Sequence, residues 1–187
     1  MPPKVKVSKE QIISSALDIV RRHGYDALNA RSIASELGCS TQPIFSNFDS
    51  MEDLELTIVV AAARLCRSFV DREQASGKYP PYKASGMGYI RFAKDEPALF
   101  RLLYMRNRSE YIVPEDEELM DSMYSLVRHN TGFDPDRSQL FHIEMWAFVH
   151  GIASMLATGY QQFSEELISQ MMTDVYLGMR KQFEGEK

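Results

Sequence analysis

Residues 29–48 constrain the fold more than any other part of the chain, because two short helical patterns meet there across a very short break. Asn29 precedes the first pattern and is a residue type that caps helix N-termini well. Gly38 follows this pattern, and glycine adopts the left-handed conformation that ends many helices without a Cβ penalty. The sequence therefore predicts helices over 30–37 and 41–48 joined by three residues, which is a helix-turn-helix.

The second of these helices is predicted to have one buried side and one free side. Ser40 is predicted to cap it, and Pro43 falls in its first turn, where a missing N–H would have no intrahelical partner anyway. Apolar surface comes from Ile44, Phe45 and Phe48 at helical spacing. The remaining face is short, polar and uncharged, and consists of Thr41, Gln42, Pro43, Ser46 and Asn47.

These residue types suit the reading of DNA bases. The second helix of a helix-turn-helix lies in the major groove with its N-terminal residues toward base edges. Gln and Asn pair with adenine, Ser and Thr bond several bases, and an apolar group such as Pro43 can touch a thymine methyl. The alternative reading is a short helix pair whose polar face is simply solvated.

From Ser8 to Leu54 the chain resembles the N-terminal domain of TetR-family transcriptional regulators. The resemblance rests on the segments 31–38, 44–48 and 50–54, which follow one another in the family's order without a gap. Family members often have a tyrosine at the position of Phe45 and a lysine at that of Met51, both phosphate contacts, and this chain departs from both. Residue types and resemblance together predict DNA contacts from Asn29, Arg31, Ser40, Thr41, Gln42, Pro43, Phe45, Ser46, Asn47 and Ser50.

The charge distribution is compatible with this prediction although the chain is acidic overall, with a formal net charge of −5. Residues 1–50 carry six basic and five acidic side chains, so the acidic excess lies in the remainder. Two cysteines are too few for a disulfide framework. No apolar run is predicted to be long enough to span a membrane. We therefore expect a soluble, cytoplasmic protein.

Further helix signals flank the helix-turn-helix. Residues 1–7 are predicted to form a mobile arm, either disordered or resting on DNA phosphate or in a minor groove. Ser8, with Gln11 in capping-box spacing, opens a helix that ends at Gly24, and Ser50 caps a long helix that continues to Gln74. We predict a DNA-binding domain over 1–50, a connecting helix over 51–76 and a ligand-binding and dimerisation domain over 82–187.

The second half of the chain is predicted to be a bundle of helices rich in aromatic residues and methionine. Long helices are expected over 138–158 and 164–183, with Gly159 between them. No strand pattern or repeat is evident, so the fold class is all-α with about nine helices.

The segment from Trp146 to Gly151 resembles the Trp-His-Gly (WHG) signature of one group of TetR C-terminal domains. In that family the last two long helices form a four-helix homodimer interface, and the body binds a small molecule. Wide apolar faces on these helices agree with an interface. The resemblance and the apolar pattern predict contacts from Phe148, Ile152, Met155, Leu156, Ile168, Met171, Val175 and Met179.

A ligand pocket is predicted from aromatic and methionine side chains on several helices, since such cavities have apolar linings with few polar groups. For any single residue, core packing is the competing explanation. The scarcity of charge predicts an apolar or aromatic effector. The predicted lining is Tyr89, Phe92, Phe100, Leu103, Tyr104, Met120, Met123, Tyr124, Trp146 and His150.

The predicted function is a ligand-responsive transcriptional regulator, a repressor released from a pseudo-palindromic DNA operator when a small molecule binds. The alternative is a DNA-independent helical adaptor that has lost its operator contacts. An enzyme is not predicted: the chain has no phosphate-binding glycine loop, and its four histidines lack metal-ligand spacing. We expect no cofactor and no metal.

Overall fold

The computed structural model describes residues 7–106 and 114–185, and these residues form an all-α fold. The described helices are α1 (Lys9–His23), α2 (Ala30–Glu36), α3 (Gln42–Phe45), α4 (Met51–Ala75), α5 (Pro81–Asp95), α6 (Pro97–Tyr104), α7 (Pro114–Thr131), α8 (Pro135–Ala157) and α9 (Glu165–Gly185). One 3-10 turn, Tyr25–Ala27, lies between α1 and α2. The predicted all-α class is confirmed, whereas the predicted arm over 1–7 lies outside the described residues except for its last residue.

The described residues divide into two compact units. The first contains 7–64 and 98–106, and the second contains 65–97 and 114–185. Helix α4 is continuous across the division, and α6 from Ala98 onward belongs to the first unit. The boundaries predicted from the sequence differ from this division in two ways. They place all of α4 outside the first domain, and they place α6 in the ligand-binding and dimerisation domain.

Capping groups fix the helices of the first unit where the sequence predicts them. The Ser8 hydroxyl accepts a hydrogen bond from the Gln11 N–H at 3.2 Å, while the Gln11 side chain accepts from the Ser8 N–H at 2.9 Å. The Asn29 side chain accepts from the N–H groups that open α2. Gly24 and Gly38 both have positive φ and end their helices, as glycine does at low cost.

The first unit has a compact aliphatic core supplied by each of its early helices. Ile12 of α1, Ile33 of α2, Ile44 of α3 and Leu54 of α4 are fully buried. Near this core the Tyr25 hydroxyl donates a hydrogen bond to the Glu55 carboxylate, and the Arg106 guanidinium lies 3.4 Å from the centroid of the Tyr25 ring. Burial, followed by the Glu55 hydrogen bond, raises the pKa of Tyr25.

In the second unit α5 and α7 pack along α8. An aromatic core lies where α7, α8 and α9 meet, and its members are Val127, Phe141, Met145 and Phe183. At the crossing of α4 and α5, Gly88 allows close backbone contact, since a Cβ at this position would lie 2.7 Å from the Val70 Cα.

Helix α8 begins three residues earlier than predicted. The Asp134 side chain accepts a hydrogen bond from the Arg137 N–H at 2.9 Å, and Pro135 occupies the first turn, where proline is tolerated. Asp134 and Pro135 therefore open the helix ahead of the predicted first residue. Ser138 is consequently an interior residue of α8 and is fully buried.

Helix α8 is also long and apolar enough to cross a membrane by length and composition, whereas no membrane span was predicted. Phe141, Met145 and Ile152 of this helix are nevertheless buried inside the second unit. One such helix is weak evidence for a membrane span, because the core helix of a soluble protein passes the same test.

Candidate functional site

The candidate DNA-binding surface is the outer face of α3 and the residues beside it. Ile44 and Phe48 anchor this segment by complete or nearly complete burial. Gln42 and Ser46 are exposed on the opposite side, and the Phe45 ring is 51% exposed. The predicted division into a buried and a free side therefore agrees with the structure, except that Phe45 belongs to the free side.

Helix α3 is shorter than predicted and is capped differently. The regular helix spans only Gln42–Phe45, and Ser46 and Asn47 follow it as a turn. The Asn47 and Phe48 N–H groups both donate to the Ile44 carbonyl. Thr41 occupies the N-cap position without a side-chain hydrogen bond. The prediction that Ser40 caps this helix is wrong, because the helix begins one residue too late for its hydroxyl to reach the first free N–H groups.

Two of the side chains predicted to read bases donate hydrogen bonds to the backbone of their own segment. The Ser46 hydroxyl donates to the Gln42 carbonyl at 2.9 Å, and the Asn47 amide donates to the Pro43 carbonyl at 2.8 Å. These bonds hold the segment in shape and use the Ser46 hydroxyl hydrogen and one of the two Asn47 amide hydrogens. Gln42 is exposed and has the longer amide side chain, so it is the strongest candidate for base readout.

Two further predicted DNA contacts serve as helix caps. The Asn29 oxygen accepts from the Arg31 and Ser32 N–H groups, both at 3.0 Å, and its amide donates to the Ala27 carbonyl at 3.2 Å. The Ser50 hydroxyl accepts from the Asp53 N–H at 3.2 Å. Exposed Arg31, by contrast, carries a charge that can meet a phosphate.

Other cations of the first unit are already engaged. Arg21 pairs with Asp18 at 2.8 Å and Arg22 with Glu36 at 2.7 Å. The Lys9 ammonium lies 4.6 Å from the centroid of the Phe48 ring. All three contacts lie within the first unit. Arg31 is the cationic residue nearest to α3 in sequence.

The second unit contains two parallel tyrosine–histidine pairs between α5 and α8. The Tyr89 hydroxyl lies 2.8 Å from the His150 Nδ1, and the Tyr82 hydroxyl lies 2.9 Å from the His142 Nδ1. Trp146 stacks on His150 with ring centroids 5.0 Å apart. Burial lowers the pKa of both histidines, that of His142 to about 4, so both are neutral at pH 7.

Sequence reasoning identified Tyr89, His150 and Trp146 but missed the pair of Tyr82 and His142. A signal was present, because the two tyrosines are seven residues apart and the two histidines eight. These spacings place each couple on one helix face. The pairing itself joins positions 60 residues apart and is visible only in the structure.

The predicted pocket residues fall in both units. Phe100, Leu103 and Tyr104 belong to the first unit, where the Phe100 and Tyr104 rings lie 5.0 Å apart. The remaining members belong to the second unit, where Phe92 and Met123 are buried. The predicted set is therefore divided between the two units. Within the second unit, Tyr89 and Trp146 both contact His150.

The predicted dimer contacts also separate into two groups. Ile152, Leu156 and Ile168 are buried within the single chain and are core residues. Phe148, Met171, Val175 and Met179 are half-buried, and Met155 is exposed. Exposed apolar side chains that the prediction omitted lie on the same two helices: Leu140, Ile143, Leu167 and Leu177.

The fold and the exposed α3 face place this chain in the class of helix-turn-helix transcriptional regulators. Residues 12–56 match the model of bacterial regulatory proteins of the tetR family, and residues 82–175 match that of the tetracyclin repressor-like C-terminal domain. The chain belongs to the TetR family.

Individual relatives agree with this assignment. An uncharacterised HTH-type transcriptional regulator, Rv0681 of Mycobacterium tuberculosis, is 23% identical over 82% of this chain and 72% of its own. A TetR-like transcriptional regulator from Rhodococcus sp. RHA1 has the same fold, with a TM-score of 0.67, 15% identity and full coverage of both chains. The multidrug binding protein EbrR, solved with malachite green, has a TM-score of 0.64 at 16% identity, covering 92% of this chain and 98% of its own.

Proposed function

We propose that this protein is a ligand-responsive repressor whose two copies bind a pseudo-palindromic DNA operator and leave it when a small molecule binds. The observation that carries the proposal is the exposed α3 face, with Gln42 outward and Ile44 buried beneath it, in a member of a family of transcriptional regulators. A short, uncharged recognition surface beside Arg31 suits base reading combined with phosphate contact.

Two recognition helices in a symmetric dimer would read half-sites about 34–36 Å apart, which is one helical turn of DNA. Exposed apolar side chains on α8 and α9 support an interface formed by these two helices. The dimer contacts we propose are the exposed and half-buried members of the predicted set, together with Leu140, Ile143, Leu167 and Leu177.

Release by a small molecule is supported by a neutral, aromatic cluster in the second unit, in which Trp146 is 38% exposed. The Tyr89, Trp146 and His150 cluster offers flat apolar surfaces and few polar groups. EbrR, a structural neighbour, was solved with the aromatic dye malachite green. An effector of this protein must bind better to the conformation that fits DNA poorly, since a ligand shifts an equilibrium only by its differential affinity.

The same proposal describes a cytoplasmic regulator without catalytic activity, cofactor or metal. A DNA-independent adaptor is the competing proposal, favoured by Phe45 and Met51 standing where relatives often have phosphate-contacting tyrosine and lysine. Direct DNA binding separates the two.

The test is a fluorescence-anisotropy titration with the DNA upstream of the protein's own coding region and with a random duplex of equal length. Gln42→Ala is expected to weaken operator binding about tenfold more than random binding, since a bidentate base contact contributes about 1–3 kcal/mol of discrimination. Arg31→Ala should weaken both about equally, because phosphate contacts carry no sequence information.

Gln162→Ala, at an exposed position between α8 and α9, is the control and should bind both duplexes like the wild type. Equal losses on both duplexes for Gln42→Ala would contradict base reading by this residue. Failure of the wild type to prefer the upstream DNA would favour the adaptor.

A further inference from the structure

An unpaired nitrogen lies in the interior of the second unit. His142 is only 6% exposed, and its Nε2 makes no hydrogen bond to any of the described residues. Its Nδ1, on the opposite edge of the ring, lies 2.9 Å from the Tyr82 hydroxyl. The Tyr82 and Tyr124 rings meet the imidazole edge-to-face, with centroids 5.8 and 5.4 Å away.

The protonation of this pair follows from counting hydrogens. Burial lowers the pKa of His142 to about 4 and raises the pKa of Tyr82, so the imidazole is neutral and the phenol keeps its proton. If His142 Nδ1–H donated to Tyr82, the phenol hydrogen and the Nε2 lone pair would both lack a partner. If Tyr82 donates to Nδ1, only the Nε2–H lacks one. The second arrangement leaves fewer buried groups unpaired and is the stable one.

The unpaired group is therefore an N–H donor held in a fixed direction by Tyr82. Leaving such a donor buried and unpaired destabilises the fold, and an arriving acceptor would recover part of that loss. The groups around it, Tyr82 and Tyr124, are uncharged aromatic rings. Burying a negatively charged acceptor there without an opposite charge would cost much free energy. Burying a neutral oxygen that accepts the N–H hydrogen bond would not carry this cost.

We propose that the His142 Nε2–H binds the carbonyl oxygen of a neutral aromatic ketone-type ligand in the second unit. The ligand's ring would pack against Tyr124, a member of the predicted pocket, and its oxygen would accept the imidazole hydrogen. This inference rests on the proposed ligand-responsive function, because it assigns the chemical class of the effector and the polar group that orients it.

The test uses matched probes that differ in one group. Acetophenone and benzophenone carry the carbonyl, while α-methylstyrene and 1,1-diphenylethylene have the same shape with a CH2 group in place of oxygen. Binding is followed by the fluorescence of Trp146, the single tryptophan of the chain. At least one ketone is expected to bind about tenfold more tightly than its alkene, which corresponds to about 1.4 kcal/mol.

The double variant Tyr82→Phe/His142→Phe removes both polar partners without leaving one of them unpaired, and it should bind ketone and alkene equally. His142→Gln retains a donor and should keep part of the preference if the double variant fails to fold. His129→Gln, at an exposed histidine of α7, is the control and should behave like the wild type. Nitrogen-15 NMR of histidine-labelled protein should show the His142 hydrogen on Nε2, with its resonance moving when the ketone binds and not when the alkene binds.

Equal affinity for ketone and alkene would show that Nε2 is satisfied by water, and would overturn the proposal. So would the absence of binding by both ketones, or a hydrogen located on Nδ1. Operator binding by the ligand-free wild type is measured separately. If operator binding fails while the ketone preference remains, the repressor proposal falls and this inference stands.

Discussion

At the scale of single residues, His142 links the stability of the second unit to pH. Its pKa is about 4 in the folded protein against an ordinary value of 6.5, because burial beside Tyr82 and Tyr124 disfavours the charged imidazole. Above pH 6.5 both the folded and unfolded states are neutral at this residue, and no penalty applies. As pH falls below 6.5 the unfolded state binds a proton at this residue and the folded state does not. The free energy of unfolding therefore decreases until about pH 4.

We expect the wild type to lose about 2 kcal/mol of unfolding free energy between pH 7 and pH 5 through this residue alone. Urea denaturation at both pH values, compared with His142→Gln, isolates the effect from other titrating groups. His129→Gln is the matched control and should retain the wild-type slope. Parallel pH dependence of wild type and His142→Gln would show that this imidazole does not control acid stability.

The residues of the recognition surface show what a sequence can and cannot reveal. The exposure of Gln42 and the burial of Ile44 follow from helical spacing and could be predicted. The bond from Asn47 to the Pro43 carbonyl could not, because a polar side chain near a helix end has local and external partners of similar energy. The Tyr82–His142 bond depends on how α5 and α8 pack, which no local pattern specifies.

At the scale of helices, the two interior glycines of α5 should respond differently to alanine. A Cβ at Gly88 would lie 2.7 Å from the Val70 Cα and 2.8 Å from the Phe69 carbonyl oxygen, both backbone atoms of α4. A Cβ at Gly86 would lie 2.5 Å from the Met172 Cε, the end of a flexible side chain. We expect Gly88→Ala to cost about 1–3 kcal/mol, because the helices must separate.

Gly86→Ala should change the unfolding free energy by less than about 1 kcal/mol, because Met172 can move and alanine favours the helix by about 0.5–1 kcal/mol. Urea denaturation of the two variants measures the difference. Equal losses would indicate that α4 and α5 do not approach as closely as described.

An ion-pair network joins the C-terminal part of α4 to α5 and α9. The Glu73 carboxylate is buried, with the residue 3% exposed, and accepts from Arg91 at 2.6 Å. Arg91 also reaches Glu165 at 3.2 Å. Removal of the guanidinium would leave a buried carboxylate without its partner, so we expect Arg91→Met to cost about 3 kcal/mol in thermal or urea unfolding.

The double variant Glu73→Gln/Arg91→Met should recover most of this loss, since no buried charge remains. Lys78→Met, which removes an exposed partner of Glu165, is the control and should cost much less than Arg91→Met, because solvent screens an exposed ion pair. Similar losses for Arg91→Met and Lys78→Met would mean that water reaches Glu73.

Helix existence was predictable throughout the described chain, and so were the helix starts at Ser8, Asn29 and Ser50. Each of these three side chains caps its helix as predicted, although Asn29 and Ser50 were also predicted to contact DNA. At α8 the predicted start at Ser138 is three residues late, because Asp134 caps the helix and Pro135 opens it. Ser138 is instead buried in the second unit, and a local sequence pattern does not reveal that burial.

At the scale of the whole molecule, the wide apolar faces of α8 and α9 were predictable, but their division between core and interface was not. Periodicity shows that a helix is apolar on several sides and does not show which side faces its own chain. The structure assigns Ile152, Leu156 and Ile168 to the core. It leaves Met155 of α8 and Leu177 of α9 exposed, the latter by 56%.

If these exposed side chains form the proposed dimer, a charge placed among them must be buried without a partner. We therefore expect Leu177→Glu, and separately Met155→Glu, to shift the protein from dimer to monomer in sedimentation experiments at micromolar concentration. Both variants should also lose more than tenfold in operator affinity, because one recognition helix then binds without the other. Leu56→Glu, at an exposed leucine of α4 in the first unit, is the matched control and should remain dimeric. A wild type that sediments as a monomer, or glutamate variants that remain dimeric, would exclude α8 and α9 as the interface and with it the proposed spacing of the two DNA-binding surfaces.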